Sequence, residues 1–344
     1  MGEKKQILSD IVVVRLGLIV LLVFFHSFAI YGGGWQRLYV PPYVGLYYWL
    51  DWLSYSFMLE SFVFISGLLF GYQERKKGGI PLDKLLIKKA KRLLIPSFIF
   101  SVLYFFCFEY SGSIGWKNVY DWIIGTHHMW FLPMLFLCFL FVAVFRKWID
   151  KFFNLAVAIC IILSILSFLT LPLRLDKTME YLPFFVVGYG IGFKDYQLSH
   201  ISIKTWIIVV ILFILFFMGF TILNPYLMEI KGNYTALIRC CIYSIVNIGR
   251  LIYSALGVLL VYMAMSKVKQ KGIVLNRSLI KVSECCFGVY LIHQFILVYL
   301  YDYTSLPTII NYIWLPWLCF IIALLLSITL SLLIKQTKIG RQLI

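Results

Sequence analysis

The apolar runs of this chain have a length set by a bilayer, and that length limits the fold more than any other feature. A helix that spans hydrocarbon needs roughly 20 apolar residues. Ten segments come near that measure, at about 11–31, 50–72, 93–110, 128–145, 153–171, 179–193, 205–223, 238–265, 284–303 and 312–334. The sixth, MEYLPFFVVGYGIGF, is the shortest. Composition agrees: 62% of the residues are hydrophobic and 13% charged, against about 25% charged in soluble domains.

The basic residues orient these segments. With the N-terminus in the cytoplasm, the inside segments are 1–10, 73–92, 146–151, 194–204, 266–281 and 335–344. They hold 23 of the 31 Lys and Arg, and the outer loops hold five: Arg37, Lys117, Arg174, Lys177 and Lys231. That split follows the positive-inside rule. It also accounts for the net charge of +16 without any nucleic-acid partner. The first apolar run is too long for a cleavable signal peptide and holds an arginine. The expected fold is an all-α integral membrane protein with about ten transmembrane helices and both termini cytoplasmic. A single multispanning domain covers 1–344, with no appended soluble domain. The expected location is a bacterial plasma membrane. The eight cysteines show no CxxC or metal-finger spacing, so no disulfide framework is expected.

The first run, VVVRLGLIVLLVFFHSF, carries Arg15 and His26. Eleven helical steps of 100° amount to three turns plus about 20°, so both side chains share one face, with a rise of about 16 Å between them. Arg15 either snorkels to the interface or clamps an anion there. His26 is either an interhelical polar contact or a proton-handling group deeper in the membrane.

This Arg-x10-His helix resembles the signature of membrane-bound acyltransferase family 3, and further segments extend the likeness. LESFVFISGLLFG is similar to the family's acid-x-F-F-x-x-S-G pattern, with Glu60 as the acid and Ser66–Gly67 closing it. KKAKRLLIP resembles its Arg-x-x-Arg run to proline, with Lys89 at the first arginine and Arg92 at the second. HHMWFLPMLF, YLPFFVVGYGIG and SECCFGVYLIHQFIL resemble its His-x-Trp-Phe-Leu, Phe-Phe-x-x-Gly and Gly-x-Tyr-Leu-x-His segments. The chain departs from the pattern in two places. Lys89 keeps charge but loses the bidentate geometry of arginine. Leu135 stands where some members carry a glutamate.

The resemblance implies an acyltransferase. It would move an acyl group, usually acetyl, from cytoplasmic acetyl-coenzyme A or another acyl-coenzyme A to a hydroxyl of a cell-surface or lipid-linked glycan, as in exopolysaccharide O-acetylation of the cell envelope. Arg15, Lys89 and Arg92 would hold the donor's phosphates, which favour clustered Lys and Arg. The neighbours Lys84, Lys88 and Lys91 serve either that purpose or topology and lipid head groups. His26 would take the acceptor's proton or be acylated itself. Glu60, a mid-membrane acid, would orient His26 or pair with Arg250. His128 and Trp130, with Tyr290 and His293 one turn apart on a later helix, would line the substrate pocket; an aromatic belt at Trp130 and interhelical hydrogen bonds at Tyr290 and His293 are the structural alternatives. His127 and His128 point apart and lack a third ligand, so no metal is expected. His200, in a polar cytoplasmic loop, carries no signal. Membrane lipids surround the chain. A transporter or flippase of a lipid-linked glycan would show internal repeats, and none is present. A glycan polymerase or ligase would place its basic residues in large outer loops, and these loops are short.

Overall fold

The structure, a computed structural model, describes residues 9–195, 198, 201–230, 235–272 and 275–344. The start of the chain with Lys4 and Lys5, His200 and Lys231 lie outside the described residues. Among the described residues all regular structure is helical. The order is α1 (Ser9–Gly32), α2 (Gly45–Lys77), α3 (Leu82–Phe108), α4 (Trp116–Ile124), a 3-10 turn (His127–Trp130) leading into α5 (Phe131–Lys151), and α6 (Phe153–Ile165). Then follow α7 (Leu175–Lys194), α8 (Ile203–Ile230), α9 (Ala236–Gln270), α10 (Arg277–Glu284), α11 (Cys286–Asp302), α12 (Leu306–Ile309), α13 (Leu315–Ile334) and α14 (Lys338–Leu343).

Seven of these helices are long and apolar enough to cross a bilayer: α1, α2, α3, the turn and α5 together, α8, α9 and α13. An eighth results if α10 and α11, bent by 59° at their junction, are one span. Two of the ten expected segments fall short. The first, Phe153–Phe168, is too short an apolar helix and ends in a 3-10 turn over Leu166–Phe168. The other, α7, carries Asp176, Lys177 and Glu180 in its first half. It is an interior helix, and glycines set its packing. Cβ atoms added at Gly67 and Gly71 of α2 would lie 2.2 and 2.1 Å from the carbonyl oxygens of Phe185 and Tyr189. Added at Gly188 and Gly192 of α7, they would lie 2.2 and 2.1 Å from those of Phe64 and Leu68. Two small-xxx-small pairs therefore face each other, the device by which membrane helices bring their backbones into contact.

The main core cluster draws on α1, α2, α3, α5, α7, α11 and α13. Helix α1 packs against α2, α9, α11 and α13, so its Arg15–His26 face is interior. By contrast α8 exposes Ile207, Ile211, Leu215 and Ile222, as a lipid-facing helix does.

Candidate active site

Two cavities open inside the bundle. One, of about 610 Å³, is lined by Arg15, Lys77, Lys84, Lys88, Lys89 and Arg92, and among the described residues no carboxylate lies in its wall. The basic run of α3 reaches it because 84, 88 and 92 recur at helical spacing; Lys91 is not in the lining. Apolar partners hold two of these cations. Lys89 Nζ lies 3.5 Å from the Phe139 ring centroid, and the Arg92 guanidinium carbon lies 5.7 Å from that of Phe287. Leu135, at the position of the absent glutamate, lines the same cavity.

The second cavity, of about 440 Å³, is lined by His26, His127, His128, Trp35, Trp52, Tyr55, Trp130, Gln294 and Asp51; among the described residues no lysine or arginine lies in its wall. Leu22, Leu59, Phe131 and Tyr290 line both cavities. These four side chains are the partition between a basic space and an aromatic one. His26 stands one helical turn from Leu22, on the aromatic side.

Three imidazoles meet beside that partition. Ring centroids of His26 and His293 are 4.9 Å apart, those of His128 and His293 5.0 Å, and those of His26 and His128 6.3 Å. His26 Nδ1 lies 3.0 Å from the Leu22 carbonyl oxygen and His293 Nδ1 2.9 Å from that of Val289. A carbonyl only accepts, so each Nδ1 carries the hydrogen. In the neutral imidazole the lone pair is then on Nε2. His293 Nε2 is 3.4 Å from His26 Nδ1, a second acceptor for the same N–H. His128 Nδ1 donates to Gln294 Oε1, and the Tyr290 hydroxyl donates to the His128 carbonyl oxygen. His128 Nε2 is buried and has no partner among the described residues. No group of three His, Cys, Asp or Glu among the described residues is placed to hold a metal ion.

The approach to α5 directs these rings. His127 sits at φ +45°, a left-handed conformation uncommon outside glycine and concentrated at functional sites. That turn sends His127 away from His128, to Glu109 Oε1 at 2.5 Å. The hydrogen bond from His127 holds the Glu109 carboxyl below the usual carboxylate range. Above the aromatic cavity, Arg37 pairs with Asp302 at the end of α11 and lies 4.7 Å from the Trp35 ring centroid. Trp35 in turn meets the His26 ring edge-on at 6.4 Å.

The structure thus brings Arg15, Lys89 and Arg92 to one cavity, His26, His128 and Trp130 to the other, and Tyr290 to both. His293 lines neither; it is fully buried behind His26. Glu60 also lines neither. Its Oε1 accepts from Ser254 Oγ at 3.2 Å and Oε2 has no hydrogen-bond partner; among the described residues it forms no hydrogen bond to His26 and no ion pair with Arg250. Arg250 pairs instead with Glu180, which Lys177 also bonds at 2.9 Å. Sequence reasoning passed over Trp35, Asp51, Trp52, Tyr55 and Gln294. Asp51 had a usable signal, an acid within the apolar run YYWLDWLSYSF. Trp35 had none, since a tryptophan near a helix end reads as an interfacial anchor.

The comparison with known families decides the class. The acyltransferase family 3 profile, an acyltransferase domain, matches residues 8–336. The chain belongs to acyltransferase family 3. It is a multi-pass membrane acyltransferase. No curated protein and no solved structure matches it.

Proposed function

We propose that this family 3 acyltransferase moves an acetyl group from cytoplasmic acetyl-coenzyme A to a hydroxyl of a cell-surface or lipid-linked glycan in a bacterial plasma membrane. One observation carries the reading. Two cavities of opposite chemistry share a four-residue partition, and a histidine with a defined base nitrogen stands beside it. The basic cavity faces the cytoplasm, as the positive-inside rule requires of its lysines. An even number of crossings keeps both termini on that side of a single multispanning unit over 1–344.

Arg15, Lys89 and Arg92 hold the donor's phosphates, and six cations with no acid suit a polyanion. The donor's arm runs along α1 toward the partition. His26 Nε2 takes the proton of the acceptor hydroxyl, whose oxygen attacks the thioester carbon. A C–O ester bond forms, the C–S bond breaks, and His26 returns the proton to the departing sulfur. His128, Trp130 and Tyr290 shape the acceptor's side. His293, behind His26, and Glu60, one helix away, support the site from outside the cavities.

The test uses the protein in nanodiscs, with acetyl-coenzyme A binding and slow hydrolysis measured for wild type, Arg15→Ala and His26→Ala. Arg15→Ala is expected to weaken binding. His26→Ala is expected to bind while losing about 10²–10⁴-fold in turnover, the usual share of a general base. If no acyl-coenzyme A binds and both variants match wild type, the proposal is wrong, and transport assays follow.

A further inference from the structure

One wall of the basic cavity is held by a buried ion pair that no step above uses. Helix α2 ends at Lys77, and the chain turns into α3 through Gly78 and Gly79, at φ +65° and +105°. Both angles lie where glycine alone is at ease. Lys77, Gly79, Ile80 and Pro81 of this turn line the cavity, and Lys84 follows on α3. A turn with two glycines has little stiffness of its own.

Its anchor is Glu74 with Arg146. Glu74, one turn before the end of α2, is only 3% exposed. Its Oε1 accepts the Ile80 N–H at 3.0 Å, and its backbone carbonyl accepts the Gly79 N–H at 3.1 Å. Arg146, on α5, donates from a single nitrogen, Nη1, to Glu74 Oε2 at 2.9 Å and to the Ile80 carbonyl at 2.7 Å. The end of α2, the turn and α5 are thereby joined, and α5 itself supplies Leu132, Leu135 and Phe139 to the cavity. Neither Glu74 nor Arg146 is in the lining, so neither touches what fills it. A buried ion pair adds little net stability, because desolvation offsets its attraction. Here both partners also bond the backbone of the turn, which gives that turn a defined place.

We propose that Glu74 and Arg146 are positioning residues that hold the α2–α3 turn as a wall of the basic cavity and so set its affinity for the polyanionic acyl donor. This rests on reading that cavity as the donor site. With the turn held, Lys77 and Lys84 meet the donor without an ordering cost at binding, the way preorganisation raises affinity.

The sign of one substitution separates positioning from plain electrostatics. Glu74 is an acid close to a site for an anion, so charge alone predicts that Glu74→Gln tightens donor binding. Positioning predicts that it weakens. Acetyl-coenzyme A hydrolysis is measured in nanodiscs for wild type, Glu74→Gln, Glu74→Ala, Arg146→Lys and Asp195→Asn. Hydrogen exchange of the segment 77–81 is read by mass spectrometry on the same samples. Glu74→Gln is expected to raise KM about tenfold, the scale of a hydrogen bond to a charged group. Its kcat is expected to stay within about twofold, because only binding common to ground and transition state is lost. Glu74→Ala also removes the Ile80 acceptor and is expected to speed exchange in the turn and raise KM further. Arg146→Lys keeps a cation whose one nitrogen can serve both acceptors, and KM within about threefold of wild type is expected. Asp195→Asn breaks an exposed pair with Arg75 at the same end of α2 and is expected to leave KM unchanged. The proposal is overturned if Glu74→Gln lowers KM or leaves it unchanged, or if exchange quickens in Glu74→Ala while its KM matches wild type. It is also overturned if kcat falls as far as KM rises and Arg146→Lys recovers nothing, which marks packing alone. A wild type with a protected turn that binds no acetyl-coenzyme A would instead sink the donor reading beneath it.

Discussion

His26 is useful to an acyl transfer only if its proton sits on the correct nitrogen, and two contacts secure that. The Leu22 carbonyl oxygen at 3.0 Å and His293 Nε2 at 3.4 Å both face Nδ1, which leaves Nε2 as the base. His293 is itself fixed by the Val289 carbonyl at 2.9 Å, so its free nitrogen is the one turned to His26. On the proposed mechanism His293 is a positioning residue. His293→Phe is expected to keep acetyl-coenzyme A binding and to lower turnover about tenfold, because His26 loses one of its two acceptors. His293→Gln, which can offer an acceptor oxygen, is expected to recover part of the loss. Equal loss in both variants would mark a role in packing only. The Arg15–His26 pair was legible because 11 residues return a helix to the same face. His293 was legible as a mid-helix histidine, but its place behind His26 was not, since 267 residues separate them.

At the scale of the element, α2 and α7 depend on the absence of side chains. The Cβ of Gly188→Ala would lie 2.2 Å from the Phe64 carbonyl oxygen, and backbone cannot turn aside as a flexible side chain can. Overpacking of this kind costs about 1–3 kcal/mol. Gly188→Ala is expected to lower the melting temperature in detergent. Gly219→Ala on α8, whose Cβ would meet nothing within 4 Å, is expected to leave it unchanged or raise it slightly, because alanine is the better helix former. If both behave alike, close packing is not what joins α2 to α7. Both small-residue pairs could be read from the chain, as GLLFG and GYGIG. Their pairing with each other could not, because the motif reports closeness to some helix without naming which. The apolar length of α7 was legible too, but its charged first half was not recognised as interior until Glu180 met Arg250 and Lys177.

At the scale of the molecule, the feature that matters is the partition of Leu22, Leu59, Phe131 and Tyr290 between the two cavities. On the proposed function, donor and acceptor meet across it. Leu59→Trp would fill this boundary with a larger side chain. Acetyl-coenzyme A is expected to bind near wild-type affinity. Acyl transfer across the partition is expected to fall about 100-fold, the cost of misplacing reacting atoms by roughly an ångström. If transfer persists, the acyl group does not cross at this point.

The sequence by itself determined the solvent and the class of this protein. Apolar runs of bilayer length demand helices, since hydrocarbon leaves backbone groups no other partner, and the bias of lysine and arginine gives their expected direction. It also determined the clustered cations of α3 and the Arg15–His26 face, because these lie on single helices where spacing alone fixes direction. Only the tertiary structure decided what faced what. It paired Arg250 with Glu180 rather than Glu60, set His293 behind His26, and brought Trp35 and Asp51 to a cavity that no single segment encloses. Periodicity defines the face of one helix, whereas a cavity is a property of several helices packed together.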